Sequence, residues 1–156
     1  MNIKCGTSEE MLILWDGRFE DFVESHVSRI NSGIQEVWLM DDEETGQFIG
    51  ELHILWDSED KDQANGVDKT YFMAFRIDPK YQGKKLGTDL MKRVLERVKE
   101  KGFTKVTIGA DDFDPKLDNM YQNWGFTNRI KESSFDYMYE GRKVICTYTL
   151  YENNTL

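Results

Sequence analysis

The chain has 156 residues, a hydrophobic fraction of 39% with 9 Phe, 7 Tyr and 4 Trp, and a formal net charge of −9. That length and apolar content suit one domain, residues 1–156, around one core, and 2 Pro without a low-complexity tract argue against a disordered chain. The acidic balance disfavours nucleic acid as a partner, and no apolar run nears the roughly 18 residues of a membrane span.

Met1-Asn2-Ile3-Lys4-Cys5-Gly6 lacks the apolar centre of a signal peptide. Cys5 and Cys146 show no metal-ligand spacing, so they read as reduced thiols in a cytoplasmic protein without a metal. Across residues 12–30, Trp15, Phe19, Phe22, Val23, His26, Val27 and Ile30 recur at helical spacing, with His26 on the edge of the core stripe. Gly17 divides that helix and Gly33 stops it. Residues 34–40 read as a strand, 41–46 as a polar turn and 47–56 as the second strand of a hairpin. A polar loop with Asn65-Gly66 spans 57–69. Residues 70–77 form an apolar strand without clean alternation, a pattern expected of a central strand buried on both faces. Leu86, Leu90, Met91, Val94, Leu95 and Val98 mark the next helix, ended by Gly102. A strand at 104–110 follows. Asp114-Pro115 starts a helix that runs to about Trp124, with Gly125 as its stop. Residues 135–139 and 143–151 flank Glu140-Gly141-Arg142 as a final hairpin. The order predicts an α/β fold with a mixed sheet.

The strand-loop-helix unit from residue 70 to 101 carries the chemistry. Gly83 and Gly87 allow close approach of a ligand, and the first turn of the following helix offers free N–H groups and a positive dipole end. Lys80, Lys84 and Lys85 bring three positive charges and no acid to this stretch of an acidic chain. Neither the Walker spacing nor the Rossmann glycine pattern is present.

Phe75-Arg76-Ile77-Asp78-Pro79-Lys80-Tyr81-Gln82-Gly83-Lys84-Lys85-Leu86-Gly87 resembles the acetyl-CoA motif of the GNAT superfamily of N-acetyltransferases. The motif is usually Arg or Gln, two residues, Gly, one residue, then Gly or Ala, so Gln82 and Gly87 match its ends while Lys85 stands where glycine is usual. Tyr121-Gln122-Asn123-Trp124-Gly125-Phe126 resembles the family's Tyr, three residues, Gly-Phe signature. The resemblance spans roughly residues 70–126. It implies a GNAT-like domain, mostly antiparallel with flanking helices, that moves an acetyl group from acetyl-CoA directly to a primary amine.

By the same resemblance, the backbone of Phe75, Arg76 and Ile77 would hold pantetheine and offer an oxyanion donor. Gln82, Gly83, Lys84, Lys85, Leu86, Gly87 and Thr88 would hold pyrophosphate, and Tyr121 matches the general acid. Candidates for the general base are Glu51 and His53, which share one face of their strand, and Asp111; a water-mediated base is equally open. Asp57, Glu59, Asp60, Asp62, Asp111 and Asp112 would suit a small cationic acceptor. A protein or peptide acceptor, or a non-catalytic acyl-CoA-binding module, are the competing readings. A monomer and a homodimer paired through the last hairpin both fit.

Overall fold

Helix-period and strand-period segments alternate in the computed structural model much as they do in the sequence, and it describes residues 1–112 and 114–156. The elements are β1 (Asn2–Gly6), α1 (Ser8–Trp15), α2 (Glu20–Ser32), β2 (Gln35–Asp41), β3 (Phe48–Leu55), β4 (Lys69–Ile77), α3 (Leu86–Glu100), β5 (Lys105–Asp111), α4 (Pro115–Asn123), β6 (Asn128–Tyr139) and β7 (Arg142–Asn153). The sheet is mostly antiparallel, in the order β1-β2-β3-β4-β5-β7-β6. The α/β class and the central place of the 70–77 strand agree with the expectation. The chain divides into two compact units, Met1–Leu55 with Phe72–Lys101, and Trp56–Tyr71 with Gly102–Leu156.

In the first unit, β1 pairs antiparallel with β2, from Asn2↔Asp41 to Gly6↔Val37. Sequence periodicity did not announce this edge strand, because five residues, none of them fully buried, carry too short a pattern to separate from a loop. Thr7 closes a capping box with Glu10, its hydroxyl accepting the Glu10 N–H while the Glu10 carboxylate accepts the Thr7 N–H. The helix therefore starts at Ser8 rather than near residue 12. The expected break at Gly17 is present between α1 and α2, where Asp16, Gly17 and Phe19 all have positive φ. Met11, Trp15, Val37 and Leu39 form a buried cluster, with Phe19, Val23, Val27 and Ile30 packed against it. In the β2–β3 ladder Leu39 faces Glu51 and Val37 faces His53, so Glu51 and His53 share the α1–α2 side of the sheet. Helix α3 buries Leu90, Met91, Val94 and Val98. Its Arg97 holds Glu36 through two nitrogens, and its Arg93 stacks 4.7 Å from the Trp38 ring centroid.

Burial along β4 is less complete than a two-sided core strand would show, since only Thr70 and Phe72 are fully buried. Ala74 sits at φ 56°, a left-handed conformation that interrupts the pleat. Beyond it, Phe75 and Ile77 adjoin Gly87 of α3, while Arg76 reaches Glu51.

In the second unit, β7 pairs antiparallel with both β5 and β6. Strand β6 begins at Asn128, earlier than the expected residue 135, because its charged and hydroxylated residues hid the pairing. Val106, Ile108, Tyr121, Phe126, Tyr148 and Leu150 are buried. A Cβ at Gly109 would lie 2.9 Å from the Tyr148 ring and 3.3 Å from the Tyr71 hydroxyl, so glycine makes room for both tyrosines.

Candidate active site

The loop before α3 is built by successive local bonds. Strand β4 ends at Ile77, and the Asp78 carboxylate accepts the Lys80 N–H at 2.9 Å, capping a 3-10 turn over Pro79–Tyr81. Gln82 Nε2 then donates to the Ile77 carbonyl at 3.1 Å. Gly83 has φ 81°, where glycine is unstrained, and Lys85 enters α3 at φ 63°, ψ 15° with no side-chain cap. Helical geometry leaves the N–H groups of Leu86, Gly87 and Thr88 without an intrahelical carbonyl, and the first bond closes from Asp89 N–H to Lys85 O at 3.1 Å. Lys84 is held 5.6 Å over the Tyr81 ring. Gly87 serves space rather than dihedral freedom, since a Cβ there would stand 3.2 Å from Phe75 Cζ and 3.7 Å from Ile77 Cγ1. The structure thus brings Phe75, Ile77, Gln82, Gly83, Lys84, Lys85, Leu86, Gly87 and Thr88 into one strand-loop-helix corner with free amide donors and local positive charge.

Arg76 belongs to that segment but turns to the other face. Its Nη1 donates to Glu51 Oε2 at 2.8 Å, and its guanidinium stands 4.4 Å from the Phe19 ring centroid. Glu51, 2% exposed, also accepts from Trp15 Nε1 at 2.9 and 3.1 Å and from His53 Nε2 at 2.5 Å. The Gln35 amide nitrogen lies 2.8 Å from both His53 Nδ1 and His26 Nδ1, and Gln35 Oε1 accepts from Arg29 Nε at 2.8 Å. One amide N–H given to each ring requires both Nδ1 atoms to accept, which leaves the His53 Nε2 proton for Glu51. Burial alone would raise the Glu51 pKa, but the His53 hydrogen bond, the Arg76 charge and the Trp15 indole outweigh it and hold the carboxyl at about 2. Glu51 is therefore ionised with both oxygens occupied, the disposition of an anchor for Arg76 more than of a proton acceptor. Burial pushes His26 down to about 3.

Asp111 and Tyr121 lie in the second unit. The Cys146 thiol donates to Asp111 Oδ1 at 3.4 Å. Tyr121, 4% exposed, stands on α4 with Trp124 and Phe126 at ring-centroid distances of 6.2 and 6.3 Å. Burial, then the charges of Asp111 and Asp114, push its phenol upward, so it stays protonated. The loop acids are partly spent: Lys61 holds Asp57 at 2.7 Å, and Lys131 holds Asp60 at 2.8 Å and Asp62 at 3.1 Å.

Trp15, Phe19, His26 and Gln35 join this polar network although periodicity alone marked them as packing residues or left them unremarked. The strand parity of Arg76, opposite to Phe75 and Ile77, was the one sequence signal of its direction. Among the described residues, no group of three or more His, Cys, Asp or Glu could hold a metal ion, and no helix is long and apolar enough to cross a membrane.

The model of the acetyltransferase (GNAT) family matches residues 9–126. No curated protein matches the chain. Among solved structures, an N-acetyltransferase from Staphylococcus aureus Mu50 aligns over 98% of this chain and 97% of its own, at 14% identity and a TM-score of 0.71. A GNAT family acetyltransferase from Elizabethkingia anophelis, solved with acetyl-CoA bound, covers 98% and 97% at 16% identity and a TM-score of 0.70. A Bacillus subtilis acetyltransferase in complex with CoA covers 99% of both chains at 16% identity and a TM-score of 0.67.

Proposed function

The chain belongs to the GNAT acetyltransferase family, and from that premise we propose that it is an acetyl-CoA-dependent N-acetyltransferase of a small primary amine. Residues 1–156 would act as one catalytic domain in the cytoplasm. The observation that carries the reading is the corner from Phe75 to Thr88: free first-turn N–H groups, three lysines, and a helix start at which Gly87 lies so close to β4 that a Cβ would press on Phe75.

Acetyl-CoA is the co-substrate that supplies the thioester: the amine nitrogen bonds to its carbonyl carbon, the C–S bond breaks, and CoA leaves as a thiolate. The chain's part is to hold and polarise. The N–H groups of Gly83 to Thr88 bind pyrophosphate, with Lys80, Lys84 and Lys85 adding long-range attraction. The backbone of Phe75 and Ile77 holds the pantetheine arm and offers an N–H to the oxyanion. Tyr121 gives its hydroxyl hydrogen bond to the departing sulfur. Because its phenol is raised and an ordinary thiol titrates near about 8.5, complete proton transfer to sulfur runs uphill, and the hydrogen bond is the useful contribution. Asp111 or a water relays the amine proton, since Glu51 is already saturated.

Thermal denaturation with acetyl-CoA, followed by CoA release over an amine panel, tests this. Acetyl-CoA raises the midpoint by mass action, and CoA appears only with an amine present. Tyr121→Phe lowers kcat on the order of 10- to 100-fold with acetyl-CoA affinity retained. A midpoint indifferent to acetyl-CoA, CoA and longer acyl-CoAs refutes the assignment. Binding without CoA release for any amine points instead to a non-catalytic acyl-CoA module.

A further inference from the structure

We infer that the acceptor carries a carboxylate, and that Arg76 is the side chain that holds it. The inference rests on the acetyl-transfer reading and adds the chemical class of the acceptor.

Arg76 lies in sequence between Phe75 and Ile77, the two residues whose backbone is assigned to the thioester arm, and it leaves the strand on the opposite face. Its guanidinium is fixed from behind and from the side. Nη1 is bonded to the buried Glu51, and the planar group lies 4.4 Å over the Phe19 ring. The remaining edge, Nε and Nη2, has no carboxylate among the described residues, and 45% of the side chain is exposed. A guanidinium presents its donors as a flat fork, so an arginine anchored through one nitrogen keeps a second edge matched to a carboxylate. Anchoring removes rotamer freedom before a ligand arrives, which is what a specificity group needs.

Charge favours the same occupant. Arg18 reaches the same Phe19 ring, with its guanidinium 5.9 Å from the centroid. Its Nε and Nη2 donate to the Trp15 and Leu14 carbonyls, which are neutral. Arg76 is paired with Glu51, while Arg18 makes no ion pair among the described residues, so a second guanidinium on the same ring adds attraction for an anion. Three of the six acids that would attract a cationic amine, Asp57, Asp60 and Asp62, are engaged by Lys61 and Lys131.

The test compares amino acids with their carboxamides, which keep the amine and lose the anion, by CoA release with the wild-type chain and with Arg76→Lys. The wild type turns over the carboxylate member with kcat/KM on the order of 10- to 100-fold above the amide. Arg76→Lys, which keeps the charge and loses the fork, collapses that ratio towards one, chiefly through KM. An arginine present only to neutralise Glu51 would instead lower both members by the same factor. Equal turnover of acid and amide by the wild type overturns the inference, as does turnover of cationic or neutral amines with none of any carboxylate-bearing one. Neither of those results touches the acetyl-transfer reading, which fails separately if acetyl-CoA does not bind.

Discussion

Replacing Glu51 by glutamine separates an anchoring carboxylate from a catalytic base. Both Glu51 oxygens accept hydrogen bonds, from Trp15, His53 and Arg76, within 2.5 to 3.1 Å. Glutamine keeps the shape but must aim an NH2 at one of these donors, and it leaves Arg76 without its counter-charge. Removing one partner of a fully buried pair costs about 3–5 kcal/mol. Arg76 keeps access to water with 45% of its side chain exposed, so the expected loss is about 2–3 kcal/mol. For a chain of this length that lowers the midpoint by roughly 5–10 °C, read by thermal and urea denaturation at pH 7.

The pH dependence gives a second reading of the same variant. The folded Glu51 pKa of about 2 lies below the reference of 4.5, so its stabilisation is present above pH 4.5 and is lost as pH falls towards 2. The ceiling on that term is about 3 kcal/mol. The gap between wild type and Glu51→Gln should therefore narrow over that window. A variant as stable as wild type to within about 0.5 kcal/mol, yet inactive, would refute the anchor and restore Glu51 as the base.

Three further outcomes follow from the geometry. His26, held at about 3 against a reference of 6.5, stays neutral while the unfolded chain takes up its proton; stability falls as pH drops from 6.5 towards 3, by at most about 1.4 kcal/mol per pH unit. A His26→Gln variant should show a flatter acid limb in the same window. Lys85→Gly removes a left-handed non-glycine residue at φ 63° and should raise stability by about 1 kcal/mol in urea melts, with acetyl-CoA still bound. Gly87→Ala inserts a Cβ 3.2 Å from Phe75 Cζ, displaces that ring, and should weaken acetyl-CoA binding by calorimetry on the order of tenfold.

Much of this arrangement is legible in the residues. The helical stripe from Leu86 to Val98, the Asp114-Pro115 start and the glycine stops at Gly33, Gly102 and Gly125 are local signals, and local signals survive folding. The strand-loop-helix corner from Phe75 to Thr88 was legible for the same reason, being continuous in sequence. Strand β1 and the first half of β6 were missed because their ladders depend on neighbours distant in sequence: Cys5 meets Trp38, and Ser133 meets Tyr148. The polar network was hidden more deeply. Trp15, Gln35, Glu51 and Arg76 come from four elements, and each side chain is unremarkable alone. Only the register that sets Leu39 opposite Glu51 and Val37 opposite His53 lets them meet under α1 and α2.

The loop between β3 and β4 carries an Asn-Gly pair, Asn65-Gly66, ordinarily the fastest site of spontaneous deamidation in a polypeptide. That reaction needs the glycine nitrogen to swing onto the asparagine side-chain carbon and close a five-membered imide. Here the Gly66 N–H is committed to the Trp56 carbonyl at 3.0 Å. Asn65 Oδ1 accepts from the N–H groups of Val67, Asp68 and Lys69, and Asn65 Nδ2 donates to Asp68 at 2.7 Å. Nucleophile and electrophile are pinned apart, so the folded chain should age without acquiring the isoaspartate that its sequence invites, while the urea-unfolded chain should gain one mass unit at this site within days.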